Sequence, residues 1–480
     1  MAWSNLESLD KVIELSPADC ERGMAKESCA VHPTVSAPPT TAERKLPSVF
    51  HRCIASAQRL RFVRNAAMLT IGTAAAQGFS ILAAPVLTRV CPAATIGQLA
   101  LFTSFMSVAV VGVSLKYELG IVSALSVSEA AQLTYASAIV SIPVSIVSGI
   151  VLYSAIHYAW LGFGGLPAYA ALLMVVALLL TGIFTALRYW ALRNERFGLI
   201  SRATVEQHAI RAVSQVGFAV VTSGAGGLMI GELLGRAVGV TPLFHYAWPN
   251  IRKLVDGATI RDFLRTLQRH RKLVVYSLPS TFIDTLVANL PIPIIVRLYG
   301  LEDGGYFALV QKVLAVPLGL ISASVADTFH SSLARCARED PAQMRTLFIR
   351  TSIWLFAVGL IPTLILAMFG RPIISLMFGS NWAMAGTLAA LLAPWFITQF
   401  VVSPLSRLVF VLHGQKLKLI YDVVILIAML FVTAVSMWRK LTLFDTVWAF
   451  SLSNAFAYIV YYLLLMQIVS KNTPRKKSGI

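Results

Sequence analysis

Apolar residues in this chain gather into long unbroken runs, not into the alternating or one-sided patterns of water-soluble strands and helices. A helix crossing a hydrocarbon core needs about 20 such residues. Runs of that kind fall at about 66–88, 95–115, 134–156, 166–187, 208–223 and 227–247, and again at about 273–297, 304–327, 349–369, 386–411, 418–437 and 444–468. The fifth is the weakest, because Arg211 interrupts it and SGAGG closes it. The pattern predicts an all-α membrane protein of about twelve transmembrane helices, six in an N-lobe over 66–247 and six in a C-lobe over 273–468. A basic connector over 248–272 joins the lobes, a Pro-, Ser- and Thr-rich tail over 1–65 reads as disordered, and a basic tail closes the chain over 469–480.

Charge between the runs orients the bundle. With the N-terminus in the cytoplasm, the inward segments from Arg52 onward carry 28 Lys and Arg, and the outward loops carry five: Arg89, Arg297, Arg371, Arg439 and Lys440. An error in the number of spans would mix the two sets, so the asymmetry supports the count and places both termini inside.

The two sets of runs also resemble each other. Laying 85–108 over 293–316, a shift of 208 residues without a gap, matches Pro85 with Pro293, Arg89 with Arg297, Gly97 with Gly305, Ala100 with Ala308, Leu101 with Leu309 and Val108 with Val316. A six-span unit has even parity, so its copies share one orientation and relate by a pseudo-two-fold axis along the membrane normal. Lobes arranged in this way enclose a cavity around which they can rock, which points to transport by alternating access.

Composition narrows the functional classes. The chain is 57% apolar and 13% charged, against roughly 45–50% and about 25% in soluble domains. Its net charge of +18 is scattered through short loops, which suits topology and anionic headgroups and gives no reason to expect nucleic acid as a partner. The five cysteines lack ligand-like spacing, there is no G-x-x-x-x-G-K-[ST] loop, and the eight histidines are dispersed. No metal, cofactor or catalytic centre is therefore expected. Trp160, Trp190, Trp395, Tyr461 and Tyr462 fall mostly near span ends and read as an interfacial belt.

Several short motifs carry a family resemblance. They are GT-x₃-Q at Gly72, Thr73 and Gln77, P-x-LTR at Pro85 to Arg89, G-x-x-ALF at Gly97 to Phe102 and KYEL at Lys116 to Leu119. The second half adds GYFAL-x-x-KVLAVP at Gly305 to Pro317 and FGSNWAMAG at Phe378 to Gly386. In this order and topology they resemble polysaccharide-biosynthesis flippases of the Wzx type, within the multidrug/oligosaccharidyl-lipid/polysaccharide exporter superfamily. The resemblance implies a MATE-like fold, and a non-enzymatic protein that moves an undecaprenyl-diphosphate-linked oligosaccharide across the bacterial inner membrane for O-antigen, capsule or exopolysaccharide synthesis. Membrane lipid and other polysaccharide-assembly membrane proteins are the implied partners, and coupling to an ion gradient is expected.

A hydrated, charged head group cannot cross hydrocarbon unaided, so polar residues at membrane depth are the candidates for the translocation path. Lys312 in the eighth run is a candidate cation for the diphosphate, or else a snorkelling or paired lysine. Asp284 in the seventh is a candidate partner for Lys312 or a carrier of a coupling proton. Glu232 and Arg236 are spaced i,i+4, which an ion pair within one helix also explains. Arg89 and Arg297 occupy equivalent outer ends, either as gate contacts or as helix-end anchors. Lys116, Glu118, Arg188 and Arg211 are read together as an entry cluster on the cytoplasmic face, or as plain positive-inside charge. A multidrug cation antiporter of the same superfamily is the competing transporter. A membrane-embedded polymerase or ligase, or a non-transporting scaffold, competes from other classes, although the outward loop near 370–385 is too short for polymerase chemistry.

Overall fold

Among the residues described by this computed structural model, 46–473 apart from 223, 257–258 and 413–414, every regular element is helical. Residues 1–45 and 474–480 of the two expected tails lie outside the described residues. The chain divides at Phe62, and the described residues from 63 to 473 form the helical bundle.

The N-lobe opens with α1 (Leu46–Val90), and α2 (Ala93–Gly112) starts directly after Pro92, a residue that suits a helix start but not its interior. A tight turn in which Leu115 and Lys116 take positive φ leads into α3 (Glu118–Ser123). Ser126 caps α4 (Val127–His157) by accepting from the Glu129 N–H. A 3₁₀ turn (Trp160–Gly165) then feeds α5 (Tyr169–Arg193), α6 (Phe197–Thr222) and α7 (Ala225–Val255). The connector begins as the continuation of α7 and then forms α8 (Ile260–Arg269), whose start is a capping box between Thr259 and Asp262. The Thr259 bonds hold the Asp262 carboxyl below its ordinary range.

In the C-lobe, α9 (Arg271–Asn289) and α10 (Pro291–Tyr299) form one span that turns at Leu290. They are followed by α11 (Leu301–Glu339), α12 (Met344–Phe378), α13 (Ala383–Leu391), α14 (Ala393–Leu405), α15 (Gln415–Arg439) and α16 (Leu443–Asn472). Among the described residues nine segments are long and apolar enough to cross a bilayer, and α13 with α14 makes a tenth bent by 57°. Helices α6 and α11, of 26 and 39 residues, are also long enough to span. The total is consistent with the expected number of about twelve.

Two spans differ from expectation. The fifth begins at Phe197, not near 208, because its charged turns face protein or pair along the helix, as Arg202 does with Glu206 at 2.6 Å. The tenth is broken at Leu392, since Pro394 offers no N–H to the preceding turn.

The outside of the bundle is apolar: Ile150, Val221, Phe369, Phe431 and Leu463 are each more than half exposed. Such a surface would drive association in water and is at rest in lipid. Each lobe has its own core, around Leu152, Met174 and Met229 in the first and around Phe348, Phe400 and Leu405 in the second.

The lobes meet at the end of the bundle away from α8. There α2 crosses α11 so closely that a Cβ on Gly97 would stand 2.0 Å from the Leu301 carbonyl oxygen, and one on Gly305 would stand 2.1 Å from that of Ala93. The shift of 208 that pairs Gly97 with Gly305 also pairs Ala93 with Leu301, so the two contacts are images of each other and the pseudo-two-fold axis passes between them. Two short turns reinforce the crossing. Trp382 donates its indole N–H to the Thr88 carbonyl at 2.7 Å, and Gly162 lies against the backbone of Pro293 and Arg297.

Candidate functional site

Small residues on α7 bring the polar groups together. Gly231, Gly235 and Gly239 form a stripe at four-residue spacing, and Cβ atoms there would clash with Gln215, Arg211 and Gln207 of α6. The stripe lets the two backbones approach as packed membrane helices do. Close approach sets Arg211 beside Glu232, with the Arg211 guanidinium 3.6 Å from a Glu232 carboxylate oxygen. Arg236, one turn along α7, donates to the same oxygen at 2.9 and 3.2 Å and to the Thr181 hydroxyl of α5 at 2.6 Å. Arg211 also donates to the Ser80 hydroxyl of α1 at 2.7 Å and to Nδ1 of His208 at 2.8 Å. A nitrogen that accepts from a guanidinium carries no proton, so the His208 ring is neutral in this arrangement.

Glu232 is 3% exposed, and the two arginines that flank it supply the counter-charge a buried carboxylate needs. A cavity of about 410 Å³ lies between the lobes over this cluster, with Lys312 and Gln311 of α11 on its far wall. Lys312 sits 11 residues into α11, roughly 16 Å along the axis, which is near the middle of a hydrocarbon core of roughly 30 Å. Its ammonium is open to the cavity and forms no ion pair among the described residues. Two cations, Arg211 and Lys312, and one carboxylate, Glu232, therefore line the space, for a net charge of +1, with Arg236 behind the lining on the same carboxylate.

A second charged group lies in the C-lobe. Lys418 on α15 reaches Asp284 of α9 at 2.9 Å and Asp422, one turn along its own helix, also at 2.9 Å. Asp422 is 2% exposed. The expected pairing of Asp284 with Lys312 does not form, because Lys418 occupies the carboxylate.

The remaining candidates are spread along the bundle. Arg89 donates to the Leu376 carbonyl at 3.1 Å, across the lobe boundary at the closed end. Arg297, its repeat equivalent, is exposed beside Lys440. Glu118 is buried and accepts from Ser114 at 2.7 Å, and both it and Arg188 lie near Tyr189. Arg211 is not beside them, since it belongs to the central cluster. Lys116 holds the strained turn before α3. The aromatic belt is also corrected in part: Trp190 and Tyr461 are each 2% exposed and sit in the cores of their lobes, and Trp395 lines a recess of the C-lobe. Ser80, His208, Gln311, Lys418 and Asp422 were not among the expected residues, although each is a polar residue inside an apolar run, which is the signal that singled out the others.

A family model described as polysaccharide biosynthesis protein matches residues 86–386. No curated protein matches the chain by sequence. Among solved structures, an inward-facing multidrug resistance MATE family transporter of the MOP superfamily aligns at 14% identity and a TM-score of 0.61, over 84% of this chain and 96% of that one. The lipid II flippase MurJ, in an inward closed conformation, aligns at 15% identity and 0.60, over 84% and 89%. A MOP superfamily transporter from Pyrococcus furiosus, described by a reversed polarity of its binding pocket, aligns at 14% and 0.55, over 86% and 96%. At these identities the likeness is one of fold: the chain has the multi-pass, MATE-like architecture.

Proposed function

This chain belongs to the polysaccharide biosynthesis protein family, and from that premise we propose that it is a flippase carrying an undecaprenyl-diphosphate-linked oligosaccharide across the bacterial inner membrane by alternating access. The observation that carries the reading is the charge of the interlobe cavity. Arg211 and Lys312 against Glu232 leave the lining net positive, with Arg236 backing the same carboxylate, the sign that suits the negative charge of a diphosphate diester. Arginines offer paired donors to phosphate oxygens, and the lysine adds a mobile point charge. Only the head group needs this wet passage, because the polyprenyl tail stays in lipid throughout. The lipid II flippase among its structural neighbours handles a lipid-linked substrate, in keeping with this role. An organic-cation antiporter would instead need a cavity of the opposite sign.

The connector and its basic flanks lie on the cytoplasmic side in this reading, so the Gly97–Gly305 crossing closes the outer end. Coupling is assigned to the C-lobe group, where two carboxylates, the more exposed Asp284 and the buried Asp422, share the Lys418 ammonium. Asp284→Asn is then expected to abolish the dependence of transport on a proton gradient.

The test is surface glycan in a strain that depends on this chain. Lys312→Ala should abolish it while the amount of protein in the membrane stays normal, and undiminished glycan would remove Lys312 from the path. Orientation is checked by thiol labelling. Trp160→Cys and Gly224→Cys should react from outside, and Glu195→Cys and Arg265→Cys only after permeabilisation.

A further inference from the structure

We propose that the recess of the C-lobe beside the cationic cavity is a sugar subsite, one that holds the first hexose ring joined to the diphosphate. The inference rests on the flippase reading and adds to it a place where the glycan is read. The recess, of about 220 Å³, is enclosed by α9, α11 and α14 and shares Gln311 and Ala315 with the larger cavity. Gln311 precedes Lys312 on α11, so an amide stands one residue from the cation that faces the phosphates. A sugar attached directly to the diphosphate is thereby led into the recess.

The lining has the chemistry of a pyranose. A hexose presents an apolar C–H face and a rim of hydroxyls. Trp395 supplies a flat indole for the face, while the Gln311 and Gln399 side chains supply donors and acceptors for the rim. Two independent observations mark the recess as more than a packing gap. The helix that carries Trp395 is broken at Leu392, itself part of the lining. Irregular backbone at membrane depth is tolerated where it borders a cavity. The Gln311 and Gln399 amides also stand in an otherwise apolar and aromatic lining, and polar side chains at membrane depth mark a substrate path. None of the groups lining the recess is charged, so it adds nothing to diphosphate binding and separates recognition of the sugar from recognition of the phosphate.

The full-length chain in lipid nanodiscs, titrated with undecaprenyl diphosphate and with the same lipid bearing one hexose, gives the test. The wild type is expected to prefer the hexose-bearing lipid by roughly tenfold. Trp395→Leu should bring that ratio close to one, and Trp395→Phe, which keeps a ring but not the N–H, should retain part of it. Gln311→Met should also lower the ratio and serves where Trp395→Leu fails to fold. Lys312→Ala should weaken both lipids together and keep the ratio. A ratio that survives both Trp395→Leu and Gln311→Met overturns the subsite and leaves the flippase intact. A wild type that binds neither lipid overturns both.

Discussion

Helices α2 and α11 press together backbone to backbone near their starts and carry unobstructed glycines farther along. Near their starts a Cβ on Gly97 or Gly305 would collide with the opposing backbone at 2.0 and 2.1 Å, whereas a Cβ on Gly112 or Gly319, farther along the same helices, meets nothing within 4 Å. The same residue type in the same two helices thus has two meanings. At the crossing, glycine is required because the helix axes nearly touch. Beyond it, glycine only lowers helix propensity. The contrast marks the crossing as the one of these contacts that leaves no room for a side chain, and alternating access as proposed requires that it open in turn.

The largest effect is expected from filling the crossing. Gly305→Leu or Gly97→Leu overpacks it at a cost of about 1–3 kcal/mol, which shifts the closed population by roughly tenfold to a hundredfold. Surface glycan should fall to background, and a cysteine placed at Thr103 in the cavity should become reactive from outside. Unchanged reactivity would mean that the crossing is not the outer seal. Trp382→Phe removes one interlobe hydrogen bond worth about 0.5–1.5 kcal/mol, and a partial rise in the same reactivity should follow. Arg89→Ala, which loses an exposed bond to the Leu376 carbonyl, should act in the same direction by less than about 1 kcal/mol. The smallest effect belongs to the unobstructed glycines. Gly112→Ala and Gly319→Ala should leave transport intact and raise thermal stability by at most about 1 kcal/mol. A loss of transport there would show that these glycines come against other backbone during the cycle.

The comparison also shows what the linear chain reveals. Pattern made the all-helical, many-span class and the pseudo-two-fold relation legible, because lipid forces each span into apolar helix. Glu232, Arg236 and Lys312 were legible for the same reason, as charges where charge is costly. Arg211 was assigned to the inner flank because the hydropathy of α6 rises only after its polar turns, whereas the helix begins at Phe197. The partner of Asp284 was not legible, since Lys418 is 134 residues away and only packing of α9 against α15 joins them. Gly97 and Gly305 were visible as a repeat match, but a match in sequence does not say that two copies of a residue touch. Trp395 was taken for an interfacial anchor because the break at Leu392, which draws it into a recess, depends on how Pro394 is accommodated.

The account depends most on the interlobe cations passing a diphosphate head group from one leaflet to the other. In proteoliposomes loaded with undecaprenyl-diphosphate-linked glycan, the fraction of glycan reached by a lectin added outside reports that transfer directly. The wild-type chain should raise the fraction over time, and the combined Arg211→Ala and Lys312→Ala chain, inserted to the same amount, should leave it at the protein-free level. Equal transfer by the two chains would contradict the account.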